Sequence, residues 1–214
     1  MIEAGNSTGR EYLYGGLDEA GMASDPVRQF ELWYNEAVAA GIDLPNAMAL
    51  ATSDTEGKPT VRYVLMKQYG AGGFTFFTNS GSVKGGQLAL NPHAAAVFYW
   101  SRMDRQVRLE GPVVYIPEHE TDEYFSSRPR QSQIGACVAV QSSRIENRTV
   151  LELEYERLEA KYSGGSVPRP ADWRGYRIIP NRIEYWQGRA GRLHDRIEYT
   201  RVPGGSWEVH RLAP

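Results

Sequence analysis

The stretch from Ala47 to Thr78, AMALATSDTEGKPTVRYVLMKQYGAGGFTFFT, decides the fold. Three runs, Ala47–Ser53, Thr60–Lys67 and Phe74–Thr78, are separated by Asp54-Thr55-Glu56-Gly57 and Gly70-Ala71-Gly72-Gly73, two segments with turn chemistry. Connections this short leave no room for a crossover helix, so they predict an antiparallel three-strand meander. The habit continues downstream. Ala94–Ser101 and Gln106–Ile116 flank a polar turn at Arg102–Asp104, and Gly175–Ile179, Arg182–Gln187, Asp195–Arg201 and Ser206–Leu212 follow in the last third. Eight or nine antiparallel strands with no βαβ rhythm predict a mainly β chain, a Greek-key-like antiparallel β-barrel with helices packed outside it.

The helices have their own signals. Asp25-Pro26 pairs an N-cap acceptor with a proline at the first helical position, opening a helix that runs to Gly41. Phe30, Trp33, Tyr34 and Ala37 fall at i, i+3, i+4 and i+7, which makes one face apolar. Leu151, Tyr155 and Leu158 mark a second helix over Arg148–Tyr162, and Ser82–Leu90 and Glu118–Ser127 fit shorter ones.

Composition narrows the function. At 214 residues, 41% hydrophobic and 23% charged, the chain is ordinary globular protein, which excludes disorder and a fibre. Residues 1–60 carry 3 basic and 10 acidic side chains, and the later cations are scattered, so no nucleic-acid stripe is present. The single Cys137 excludes a disulfide framework, and His93, His119, His194 and His210 are too dispersed for a paired metal-ligand helix, so no metal is expected. With no signal peptide and no apolar window near a membrane span, a soluble cytoplasmic protein is expected. Glycine-rich phosphate loops and a nucleophile elbow are also lacking. The 24 cations comprise 20 Arg and 4 Lys, which fits either a coding bias or a site that needs planar donors for phosphate or carboxylate.

Several segments gather cations with hydroxyls and amides. Arg62-Tyr63-Val64-Leu65-Met66-Lys67 alternates so that Arg62, Val64 and Met66 share one strand face and Tyr63, Leu65 and Lys67 the other. Thr78-Asn79-Ser80-Gly81-Ser82-Val83-Lys84 leaves a strand and opens a helix, where hydroxyls, a lysine and free N–H groups converge as an anion needs, or as an ordinary serine cap provides. Tyr124, Arg128 and Ser132 stand four apart, on neighbouring turns if the chain stays helical. Gln141-Ser142-Ser143 is a small polar cluster. In Arg192-Leu193-His194-Asp195-Arg196, alternation places Arg192, His194 and Arg196 on one strand face, where they repel unless an anion lies between them.

At these residues the chain resembles the pyridoxine (pyridoxamine) 5'-phosphate oxidase family. The likeness is carried by Arg62–Lys67, by Phe76-Phe77-Thr78-Asn79 with Ser82 and Lys84, and by Arg105-Gln106-Val107-Arg108. Ser127-Arg128-Pro129 with Ser132–Ala136, Gln141-Ser142, Glu184–Gly188 with Arg192–Arg196, and the closing Arg211–Pro214 complete it, in order from about Arg10 to the last residue. The resemblance implies an FMN-binding split β-barrel: one domain over residues 23–214, a flexible arm over 1–22, and a homodimer with FMN at the subunit interface. It implies oxidation of pyridoxine or pyridoxamine 5'-phosphate by dioxygen to pyridoxal 5'-phosphate. It assigns the flavin to Arg62, Tyr63, Val64, Leu65, Met66, Lys67, Phe77, Thr78, Val83, Lys84, Gln106, Gln141, Ser142, Trp186 and Arg196. It assigns the substrate to Arg10, Tyr12, Lys67, Tyr124, Arg128, Ser132, Arg192 and His194, the last two being the catalytic candidates over the pyridine ring.

Two positions depart from the family pattern. Val83 stands where the family usually has arginine, which removes one guanidinium from the flavin phosphate, and Cys137 stands where many relatives carry tryptophan. A related flavin oxidase acting on another ring, as in phenazine biosynthesis, and a non-catalytic carrier of FMN or pyridoxal phosphate are the rival readings.

Overall fold

The computed structural model describes residues 15–214, so Arg10 and Tyr12 lie outside the described residues. The strands are β1 (Ala47–Ser53), β2 (Pro59–Gly70), β3 (Gly73–Asn79), β4 (His93–Trp100), β5 (Arg105–Tyr115), β6 (Trp173–Ile178), β7 (Arg182–Gln187), β8 (Asp195–Arg201) and β9 (Trp207–Arg211). They pair in the order β4-β1-β2-β3-β6-β5-β7-β8-β9, and a further β4–β5 pairing closes the first six into a barrel. The helices are α1 (Pro26–Ala39), α2 (Val83–Leu90), α3 (Glu118–Ser127), α4 (Arg130–Cys137) and α5 (Arg148–Lys161). The meander, the β4–β5 hairpin and the mainly β class are as expected from the turns. No described helix is long and apolar enough to cross a membrane.

The chain divides into two compact units. One comprises the described residues up to Ala49 together with Ala96–Glu110 and Pro180–Pro214. Its sheet pairs Val107 with Tyr185, Leu109 with Ile183, and Tyr185 with Ile197, and these side chains are fully buried with Tyr199. Helix α1 covers them. Asp25 caps it by accepting from the Val27 N–H at 2.9 Å, and Trp33 meets Tyr185 edge-on at 5.1 Å. Tyr185 and Tyr199 donate their hydroxyls to the carbonyls of Pro26 and Ala23, so the start of α1 is tied to the sheet by two aromatic tethers. Each buried aromatic or aliphatic side chain contributes about 1.5–3 kcal/mol, which makes this face the unit's main support.

The other unit comprises Leu50–Ala95 and Gly111–Ile179. Here β3 pairs with β2 and β6, and Phe76 stacks on Tyr176 at 5.4 Å. The turn that ends β2 depends on Gly73, whose φ of +116° and whose missing Cβ, which would lie 2.1 Å from the Ile178 carbonyl oxygen, admit no other residue. Strand β2 carries an irregularity: Met66 faces Phe76, but Gln68 faces Thr75, so Lys67 is an extra residue in a β-bulge. A second apolar cluster, Phe125, Ile134, Leu158, Val167 and Trp173, joins α3, α4 and α5 to the start of β6.

Two expectations are corrected. Tyr124, Arg128 and Ser132 do not lie on one continuous helix, because α3 stops at Ser127, Arg128 is extended (ψ 151°), and α4 starts afresh after Pro129. Proline bars the residue before it from helical geometry, so the break is written in Arg128-Pro129. Nor does strand alternation reach Arg192. That residue ends a short 3-10 turn with φ at +61°, and β8 begins only at Asp195.

Candidate active site

The second unit holds a cavity of about 410 Å³ that collects half of the residues expected from sequence. Tyr63, Val64, Leu65 and Lys67 of β2, Phe77 and Thr78 of β3, and Lys84 of α2 form one part of its lining. Tyr124, Arg128, Ser132 and Gln141 form the rest, with Pro129 and Trp173. Tyr63, Leu65 and Lys67, which alternation sets on one face of β2, line the cavity together, and Val64 of the other face lines it as well.

Lys84 is the centre of one polar cluster. Ser82 caps α2 by accepting from the Gly85 N–H, and this sets Lys84 in the first turn, pointing back under the sheet with 7% exposure. Its Nζ donates to Thr78 Oγ1 at 3.1 Å, to Gln141 Oε1 at 2.8 Å and to Ser82 Oγ at 3.5 Å. Burial, helped by the Arg62 charge, pushes the ammonium down to about 8. Arg62 donates to the Leu50 carbonyl and to Thr52 and Thr60, and burial lowers its pKa as well.

Arg128 is the centre of the other. Its Cζ lies 4.9 Å from the Trp173 ring centroid and 5.6 Å from that of Phe125, while Phe77 stacks on both Tyr124 (4.1 Å) and Trp173 (5.0 Å). The aromatic floor holds the guanidinium by cation–π contact but gives its N–H groups nothing to donate to, and the buried NH1 has no hydrogen-bond partner among the described residues. Burial accordingly lowers its pKa. Most other arginines among the described residues are paired with carboxylates, as in Arg182–Glu198 and Arg177–Glu120. Arg62, Lys84 and Arg128 have no such partner among the described residues.

The remaining expected residues fall elsewhere. Ser142, with φ at +73°, lines a larger cavity of about 910 Å³ that shares Phe77, Thr78, Arg128, Ser132, Gln141 and Trp173 with the first and extends toward Leu151 and Tyr155 of α5. Arg62, Met66 and Val83 line neither cavity; Met66 is core and Val83, the first residue of α2, is 54% exposed. Gln106, Trp186, Arg192, His194 and Arg196 belong to the first unit. There Gln106 pairs with Trp186 across β5 and β7, and Trp186 with Arg196 across β7 and β8. Arg196 is neutralised by a bidentate pair with buried Glu184, at 2.9 and 3.0 Å, so the repulsion expected of its strand face is relieved by protein. His194 Nδ1 accepts the Arg189 N–H at 3.0 Å, so the neutral ring carries its proton on Nε2. Trp173, central to the aromatic floor, was not singled out from the sequence; a tryptophan after a proline-rich loop reads simply as core.

Residues 34–162 match the pyridoxamine 5'-phosphate oxidase family, and residues 173–214 match the C-terminal dimerisation region of pyridoxine 5'-phosphate oxidase. The chain belongs to this family of oxidoreductases. Among curated relatives, the pyridoxine/pyridoxamine 5'-phosphate oxidase of Trichormus variabilis is 47% identical over 205 residues, 96% of each chain. Among solved structures, PhzG of Burkholderia lata, crystallised with tetrahydrophenazine-1-carboxylic acid, is 29% identical with a TM-score of 0.87, covering 92% of this chain and 98% of that one. An FMN-binding protein of Nostoc punctiforme related to pyridoxamine 5'-phosphate oxidase shares the fold at 15% identity, with a TM-score of 0.72 over 90% of this chain and 100% of its own.

Proposed function

We propose that this family member is an FMN-dependent oxidase of vitamin B6 phosphates. It converts pyridoxine or pyridoxamine 5'-phosphate and dioxygen to pyridoxal 5'-phosphate and hydrogen peroxide, with ammonia released from the amine. The observation that carries the reading is the set of three cations, Arg62, Lys84 and Arg128, withdrawn from water without a carboxylate among the described residues. Leaving partly buried charges uncompensated is unfavourable, and anions are what offsets it. Two phosphates, one on FMN and one on the substrate, supply that charge, each charge-assisted bond adding about 1.5–3 kcal/mol.

The donors fit both groups. Lys84, Thr78 and Gln141, with Arg62 and Ser142, would hold the FMN phosphate, and Tyr63, Val64, Leu65, Met66, Lys67, Phe77, Gln106, Trp186 and Arg196 the rest of the cofactor. Lys67, Tyr124, Ser132 and the orphaned NH1 of Arg128 would grip the substrate phosphate. Bound FMN would supply the hydride acceptor for the substrate's C4' carbon and the path by which electrons reach dioxygen. Arg192 and His194 would orient the pyridine ring. With Nδ1 accepting the Arg189 N–H, the His194 ring is held by the backbone and would position the substrate's C4' substituent. The reading includes a homodimer whose site draws on two copies of the chain, which the match of residues 173–214 to a dimerisation region supports.

The likeness to PhzG favours a second reading, an oxidase of a larger non-phosphorylated ring. Arg128 weighs against it, because a guanidinium with an unmet buried N–H suits a phosphate better than an apolar ring. Stopped-flow mixing decides. Anaerobic pyridoxamine 5'-phosphate should bleach the visible absorbance of the bound flavin, and air should restore it; a flavin that stays oxidised with this substrate refutes the proposal.

A further inference from the structure

Behind Lys84 lies a partly buried hydrogen-bond relay that ends on Arg62. Gln87, one turn after Lys84 on α2 and 9% exposed, accepts two hydroxyls on one oxygen: Thr52 Oγ1 at 2.6 Å and Thr60 Oγ1 at 2.8 Å. Each of these hydroxyls also accepts from the Arg62 guanidinium, Thr52 from NH1 at 2.6 Å and Thr60 from NH2. The proton direction is fixed by chemistry. Arg62 has only donors, so each threonine must turn a lone pair toward it and spend its single proton on Gln87 Oε1. An amide turned the other way would leave both hydroxyl protons without an acceptor. One helix therefore supplies a cation directly, through Lys84, and fixes a second one indirectly, through Gln87.

We propose that Gln87 is a positioning residue: through Thr52 and Thr60 it locks the Arg62 guanidinium beside Lys84 so that both cations meet the cofactor phosphate preorganised. This rests on the reading of the site as an FMN site. The relay uses the Leu50 carbonyl, Thr52 and Thr60 for three of the Arg62 N–H bonds and leaves the others for an anion. It holds the guanidinium without neutralising it, which a carboxylate at position 87 would not do.

The test is titration of the flavin-free protein with FMN and, in parallel, with riboflavin, which lacks the phosphate. Gln87→Leu should weaken FMN by about tenfold, the worth of a charge-assisted contact, and leave riboflavin unchanged. In an Arg62→Met background Gln87→Leu should add nothing further. Thr60→Val, which keeps the shape and removes one acceptor, should reproduce a smaller loss and serves if the glutamine variant does not fold. Equal FMN affinity in the wild type and both variants, or a parallel loss for FMN and riboflavin, overturns the positioning role. A wild-type protein that binds riboflavin and FMN equally, or neither, overturns the reading of the site itself.

Discussion

With Lys84 holding the FMN phosphate as proposed, FMN affinity should depend on pH in a predictable direction. Burial and the Arg62 charge bring its ammonium from 10.5 down to about 8 in the ligand-free chain, so the proton that a phosphate needs is held below that pH and lost above it. The apparent dissociation constant then scales inversely with the protonated fraction. That fraction is about nine-tenths at pH 7 and about one-tenth at pH 9, which gives roughly tenfold weaker binding over the interval. The phosphate stays close to dianionic throughout, because its second pKa is about 6. Fluorescence titration of the flavin-free protein between pH 6.5 and 9, buffered over about the range of that lysine, measures it. Lys84→Arg should keep tight binding and flatten the profile, and Lys84→Met should weaken binding at pH 7 and flatten it too. A wild-type profile that is flat from pH 7 to pH 9 refutes the assignment of Lys84 as the phosphate cation.

Other outcomes follow from single contacts. Arg128→Met keeps the stack on Trp173 but removes the charge, and should raise KM for pyridoxamine 5'-phosphate by about 10- to 100-fold in steady-state assays, with a smaller change in kcat. His194→Ala removes the Nε2–H donor and should lower kcat/KM by about tenfold with flavin still bound; wild-type turnover would remove His194 from the site. Val83→Arg, at an exposed N-terminal position of α2, should tighten FMN by about thirtyfold if the added guanidinium reaches the phosphate, read by the same titration. Gly85→Ala would place a Cβ 2.4 Å from the Ser80 carbonyl oxygen, and urea unfolding should show a loss of about 1–3 kcal/mol.

Much of this was legible in the chain because local chemistry matched global structure. Asp25-Pro26 and the Gly70–Gly73 turn each fix a boundary by steric rules that tertiary contacts did not overrule. The candidate site residues were named by resemblance, and three of the segments that mix cations with hydroxyls or amides do converge: Thr78, Lys84 and Gln141 come from a strand, a helix and a loop. What was hidden depended on partners distant in sequence. The Lys67 bulge exists only in relation to β3, and the neutralisation of Arg196 by Glu184 is a cross-strand fact. The helix break at Arg128-Pro129 was legible and was outweighed by a tempting spacing of four. Gln87 was invisible as well, since a glutamine inside a short helix announces nothing until Thr52 and Thr60 are folded against it.

The bulge at Lys67 also bears on which changes in chain length β2 can absorb. An odd residue inserted into a ladder is a stored frame shift: the side chains before it and after it face their sides of the barrel only because it is there. Removing Lys67 would leave Met66 opposite Phe76 and Gln68 opposite Thr75 in a regular ladder, whereas removing Tyr63 would let the bulge close and turn Val64 and Leu65 to the opposite faces. Substitutions in this strand can therefore be gradual in effect, whereas a single-codon deletion upstream of the bulge would exchange the faces of the residues between it and Lys67 at a stroke.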